Sequence, residues 1–224
     1  MRAVPRLAFR HSAGIVLAGL ILAAAASAAP VDPRLSARLD AETASAVSEI
    51  IDAAGQKGLP TEPLVARALE GASRQAPGAR IVASVRALAS DLATARELLG
   101  AGAASAELVA GATALSAGVK ADTLPRLRAA RPGGSLVVPL VVLTDLITRR
   151  VPVETASAAV LAATRAGVKD KELMKLRQRI DRDIRAGVQP GNATVLRTRN
   201  LIGHFEGVGT RPAPPGEGRP GSGP

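Results

Sequence analysis

The chain has 224 residues, a formal net charge of +10, 47% hydrophobic residues, 1% aromatic residues and no cysteine. Without cysteine there can be no disulfide, no thiolate nucleophile, no cysteine-ligated metal and no lipid anchor built on a cysteine. With only two histidines, His11 and His204, a Ser–His–Asp site or a zinc site lacks its parts, so no catalytic residue, cofactor or metal is expected.

The first stretch, "MRAVPRLAFRHSAGIVLAGLILAAAASAAP", places Arg2, Arg6 and Arg10 before an uncharged apolar run from Ser12 to Ala26. Small residues follow at Ala26-Ser27-Ala28. This is the pattern of a secretory signal peptide, with cleavage expected after Ala28. The alternative is an uncleaved anchor in the inner membrane, although the run is short of the roughly 20 residues that a span needs. Residues 1–28 carry three arginines and no acid, so their removal leaves +7 from the original +10. Of the 29 basic residues, 24 are Arg and 5 are Lys. A basic surface of this size attracts anionic surfaces but does not choose among them.

The pattern that follows is helical throughout, with no alternating run that would make a sheet. Leu35 and Leu39, then Val47, Ile50, Ile51 and Ala54, recur at steps of three and four. Leu64 to Ala72, Ile81 to Leu99, Leu108 to Leu115 and a short piece with Leu124 and Leu127 continue it. After "RPGG" comes "SLVVPLVVLTDLITRR", the most apolar part of residues 29–224. It is too short to span a bilayer and is expected to be a central core helix. Val160 and Leu161 mark a further helix, Leu173 to Ile184 a strongly patterned one, and Ala193 to Ile202 a last, weaker one. The expected fold is all-α: a compact array of about 8–9 short helices, with an irregular α-solenoid as the other arrangement of the same parts.

A phrase recurs between these segments: "GLPTEPL" at 58, "GVKADTL" at 118 and "GVKDKEL" at 167, with degenerate copies "GAASAEL" at 102 and "RVPVETA" at 150. Gly58, Gly118, Gly167 and Gly187 each follow a helical pattern, where glycine accepts the left-handed conformation that ends a helix. The next residue, Leu59, Val119, Val168 or Val188, can fold back on that helix. Thr61, Asp122 and Asp170 suit caps and first turns of the next helix. Leu64, Leu124 and Leu173, six residues after the glycine, are its first core contacts. The phrase is therefore a helix-to-helix joint, with Gly102 expected to serve another. Arg150 stands where that frame wants glycine. From 102 onward the joints are spaced 16, 32, 17 and 20 residues apart, too uneven for a fixed repeat.

Residues 29–206 are expected to form one helical domain. The tail from Gly207 has Gly or Pro at 11 of its 18 positions and is expected to be disordered.

Among charged residues, Asp145 interrupts an apolar helix, with Arg149 one turn on. It is either the wet stripe of a buried helix or a charge that fixes register or meets a partner. In "KDKELMKLRQRIDRDIRAG", Arg177, Asp181 and Arg185 lie at i, i+4, i+8, and Arg179 and Asp183 at i, i+4. Those spacings suit surface ion pairs along one helix.

The stretch "GLPTEPLVARALEGASRQAPGARIVASVRAL", residues 58–88, resembles segments of a family of exported all-helical bacterial proteins. The likeness extends through "ELVAGATAL" and "VPLVVLTDLITRRVPV", over residues 47–190. It implies a helical fold and an envelope location, and it carries no catalytic residue with it. The function expected is a non-enzymatic interaction or scaffold protein of the bacterial envelope, exported to the periplasm or beyond. The partner would be another envelope protein. The alternatives are an electrostatic binder of anionic wall or membrane surface and a hydrolase that uses carboxylates alone. Nucleic acid is not an expected partner, because the chain offers no aromatic platform for base stacking.

Overall fold

A computed structural model describes residues 32–209, with side chains through Gly203. The signal segment and most of the tail lie outside these residues. The described part is all-α, with ten helices and no strand. In chain order they are α1 Pro33–Ser36, α2 Ala41–Gln56, α3 Glu62–Ser73, α4 Gly78–Leu99 and α5 Ser105–Ser116. Then come α6 Thr123–Ala130, α7 Val137–Thr148, α8 Val153–Arg165, α9 Asp170–Arg185 and α10 Pro190–Gly209. Two boundaries differ from expectation. Asp40 caps α2 through the Thr43 amide at 2.9 Å, which splits the first segment into α1 and α2. At the other end, α10 starts at Pro190 and runs beyond Ile202 as far as Gly209.

The joints explain why these helices stop where they do. Apart from Gly100 at the end of α4, six residues adopt positive φ at helix ends: Gly58 (67°), Gln75 (54°), Gly118 (89°), Arg150 (64°), Gly167 (72°) and Gly187 (93°). At each, the following amide bonds back to the carbonyl five residues earlier. Leu59 reaches Ala54 at 3.0 Å, Ala76 reaches Gly71 at 3.0 Å, Val119 reaches Ala114 at 3.0 Å and Val151 reaches Leu146 at 3.1 Å. Val168 reaches Ala163 at 3.1 Å and Val188 reaches Asp183 at 3.0 Å. The left-handed residue itself donates three residues back, as Gly118 does to Leu115 at 2.9 Å. This pair of bonds is a Schellman cap, which satisfies carbonyls that the helix end leaves free. Leu59, Val119, Val151 and Val168 are all buried, while Val188 stays 40% exposed. Six places after each left-handed residue stand Leu64, Ile81, Leu124, Ala156, Leu173 and Ala193, every one of them buried.

Gly102 does not behave as expected. Helix α4 ends at Gly100 (φ 91°, ψ 163°), because its apolar stripe ends at Leu99, and Gly102 has no positive φ. The start signals also work differently. Thr61 and Asp122 stand just before α3 and α6, but neither side chain accepts a cap bond. Their backbones are already in the right-handed region, which turns the side chain away from the first amides. Lys169 precedes α9, and Asp170 and Glu172 lie in its first turn, where they face the positive helix end.

Every extensive helix–helix contact joins elements one or two places apart in the chain. The long α4 packs on α2, α3, α5 and α6, while α7 packs on α5, α8 and α9, and α10 on α8 and α9. That is the connectivity of an irregular α-solenoid. Two cores result. One gathers Leu35, Val47, Leu64, Ile81, Val85, Leu92 and Leu108 from α1–α5. The other gathers Leu99, Leu124, Leu140, Leu143, Leu146, Val160, Leu173 and Ile180 from α4–α10. Helices α4 and α5 contribute to both, α4 through successive turns of one face and α5 through two opposite faces, Leu108 and Ala112 on one and Ala110 and Ala114 on the other. With almost no aromatics, contact comes from close approach of small residues. A Cβ on Gly111 of α5 would lie 3.2 Å from Ala95 and Leu99 and 3.3 Å from Leu124, so that glycine lets α4, α5 and α6 meet.

The Arg150 and Gln75 joints are the strained ones, because each puts a Cβ against the following carbonyl oxygen. Arg150→Gly should therefore raise stability by about 0.5–1 kcal/mol, or roughly 1–3 °C in Tm. A thermal melt that moved downward would show that the arginine side chain contributes more than its backbone costs.

Candidate functional site

The charged residues singled out in α7 and α9 form one connected network. Asp145 pairs with Arg149 on its own helix and with Arg177 of α9, whose Nη1 donates at 2.7 Å. Arg149 Nε donates to Asp181 of α9 at 2.6 Å, and Asp181 in turn accepts from Arg185 at 2.7 Å. The order is Arg177–Asp145–Arg149–Asp181–Arg185, with three cations and two carboxylates. Four of the five side chains are 22–27% exposed and only Arg185, at 76%, reaches fully into water.

The expected pairing along α9 is thus partly replaced. Arg177 crosses to α7 rather than bonding Asp181, and Asp183 takes Arg197 of α10 at 2.6 and 2.8 Å rather than Arg179. The cause is packing. α9 sits against both α7 and α10, so its half-buried charges meet partners across the interface, where water is scarcer and the pairing stronger. The hydrogen bond from Arg149 holds Asp181 below its ordinary carboxylate range, and the bond from Arg197 does the same for Asp183. The Arg149 guanidinium is held above its usual value by Asp181, against the opposing effect of burial.

Two members of the network line an open groove between α5 and α7. Its walls are Ala106, Val109, Ala110 and Thr113 on α5, and Val137, Val141, Thr144 and Thr148 on α7, together with Asp145 and Arg177. The groove encloses about 510 Å³. Val141 is 44% exposed in its wall, although Leu140, Val142, Leu143 and Leu146 around it are fully buried. The apolar run is therefore a core helix, as expected, that also turns one valine outward.

Glu107 was not singled out by sequence. It is 6% exposed, the one buried carboxylate among the described residues. Its Oε1 accepts from the Leu136 amide at 2.7 Å and from Arg128 at 2.9 Å, and its Oε2 from the Ala104 amide at 3.1 Å. One side chain thus ties the start of α5 to α6 and to the entrance of α7. Burial alone would raise its pKa, but the Leu136 amide, Arg128 and the Ala104 amide together hold it below the ordinary value of 4.5.

The other clefts offer no second convergence of this kind. Asp122 and Glu154 line a cleft between α6 and α8, with Asp122 facing Arg126 at 3.6 Å and Glu154 facing Lys120 at 3.0 Å. Among the described residues no His, Cys, Asp or Glu grouping could hold a metal, and no helix is long and apolar enough to cross a membrane. His204 lies in α10 beyond the described side chains.

Two predictions follow from the pairing geometry. Asp145→Ala strands Arg177 in a half-buried position and leaves Arg149 with Asp181 alone, and should cost about 1–2 kcal/mol, or roughly 3–6 °C in Tm, with the helical spectrum retained. An unchanged melt would remove the structural account of Asp145. For Glu107, the folded pKa lies below the unfolded one, so acid protonates the unfolded chain first. The stabilisation it provides is complete above pH 4.5 and is lost as pH falls through the folded value. The stability gap between the protein and Glu107→Gln should therefore narrow below pH 4.5 and stay constant above about pH 6. Denaturant titrations across that range check this, and a gap independent of pH would contradict it.

No protein-family model matches the chain, and comparison with curated proteins and with solved structures finds no match.

Proposed function

We propose that the protein is a non-enzymatic helical interaction module of the bacterial envelope, and that its α5–α7 groove receives one helix of a partner protein. The groove itself carries the proposal: an aliphatic trough with an outward valine, whose two lining charges, Asp145 and Arg177, are paired with each other. Helices α5 and α7 have 12 residues each, so the trough is at most about 18 Å long, the span of roughly three helical turns. An amphipathic helix with aliphatic residues at i, i+3 and i+7 fits that length and that chemistry. A charged ligand would find no free counter-charge there, since Asp145 and Arg177 bond each other.

The envelope location rests on the signal pattern of residues 1–28. A carboxylate-only hydrolase needs one carboxyl kept protonated as the acid. Both Glu107 and Glu154 are instead held below their ordinary range: Glu154 by the hydrogen bond from Lys120, and Glu107 by the Leu136 amide and Arg128 against its burial.

A photo-crosslinking residue at position 141, read out in cells, should capture one defined protein through an amphipathic helix. The same probe at exposed Leu196 should not. Val141→Glu should abolish the capture, and retention should survive high salt. Capture that disappears at high salt but ignores Val141→Glu would mean that net charge, not the groove, makes the contact.

A further inference from the structure

Another cleft lies where α3 turns into α4. Arg67 and Arg74 line it from α3 and Arg80 from α4, with Glu70 between the first two and Gly71, Ile81 and Ser84 beneath. It encloses about 410 Å³. Arg74 bonds Glu70 at 2.7 Å and Arg67 approaches it at 3.8 Å. Arg80 has no carboxylate within 4.0 Å among the described residues. Three guanidiniums against one carboxylate leave the cleft with a surplus of two positive charges.

The backbone holds these cations together. A Cβ on Gly71 would lie 2.8 Å from Ile81 Cγ1, so its absence is what lets α3 approach α4 this closely. Gln75, left-handed at φ 54°, turns the chain so that the end of α3 faces the first turn of α4. Arg80 sits in that first turn, which contains no acid, and Pro77 before it supplies no capping side chain. A cation at a helix N-terminus opposes the helix dipole. The Asp40 carboxylate reaches the start of α4 beside Gly78 and meets the helix end there, but Arg80 itself still has no carboxylate partner within 4.0 Å.

We propose that this cleft is a binding site for a phosphate-bearing ligand, held by Arg67, Arg74 and Arg80. Planar guanidiniums on two facing helices suit the oxygens of a phosphate, which accept paired N–H bonds. A bound phosphate would supply the counter-charge that Arg80 lacks, and Glu70 would keep Arg74 oriented. The phosphate could belong to a soluble phosphoester or to a phospholipid headgroup, and the chemistry of the cleft is the same for both. The site is separate from the α5–α7 groove and stands or falls independently of it.

The test uses the full chain, a double variant Arg67→Gln/Arg80→Gln, and a control Arg165→Gln/Arg199→Gln with the same net charge at distant exposed positions. Thermal melts check that all three are folded. Pyrophosphate is titrated by calorimetry, and flotation is measured with vesicles of phosphatidylglycerol and phosphatidylcholine against phosphatidylcholine alone. The cleft variant should lose roughly tenfold or more of its affinity, while the control loses less than about twofold. Loss confined to pyrophosphate identifies a soluble ligand, and loss confined to the phosphatidylglycerol-dependent part of flotation identifies a headgroup. Equal losses in the two double variants, or no binding of either probe by the unaltered chain, would overturn the site. Val141→Glu should leave both measurements unchanged.

Discussion

The fold depends on one local device, the left-handed residue that closes a helix and hands the chain to the next. Each carries two backbone bonds, and at most of them an aliphatic residue tucks under the helix just ended. The fixed offset of six residues then puts a buried side chain in the first turn of the following helix. This constraint sets both the exit angle and the register of the next element. An array with almost no aromatic residues to anchor its core needs such control, because its packing rests on many small contacts rather than a few large ones.

The same device decides how much could be read from sequence. Glycine followed by Val or Leu marks four of the six joints directly. Arg150 was placed by the frame around it, and the structure confirms it at φ 64°. Gln75 has no glycine at its own position, and the only local break signal is the Pro77-Gly78 pair just after it. Gly102 misled because a second glycine, Gly100, lies closer to the last apolar residue of α4. Local patterning thus reports where helices stop, while the residue that takes the strained conformation is chosen by where the apolar stripe runs out.

Charges followed a different rule. Asp145, Arg149, Arg177, Asp181 and Arg185 were all visible as interruptions of apolar or helical patterns, and so were the local pairs Asp145–Arg149 and Asp181–Arg185, but the partners across the α7–α9 interface were not. Sequence spacing can pair only residues on one helix, and the stronger partners here lie 32 positions away. Glu107 shows the limit most clearly. Its burial is set by Arg128 and the Leu136 amide, 21 and 29 residues distant, and nothing near it in the chain announces either. The groove escaped notice for a related reason. A run such as "SLVVPLVVL" looks uniformly buried, and only the stacking of α5, α8 and α9 around α7 decides which valine is left facing outward.

The restriction of contacts to helices one or two places apart has a consequence for how the chain folds. Contacting residues are close in sequence, so loop-closure entropy is small and relative contact order is low. Folding can begin at any joint and spread outward by adding one helix at a time. Because α4 and α5 feed both cores, they form the step through which the two halves must communicate. Hydrogen exchange should accordingly be slowest in these two helices and fastest at α1 and α10, which have neighbours on one side only.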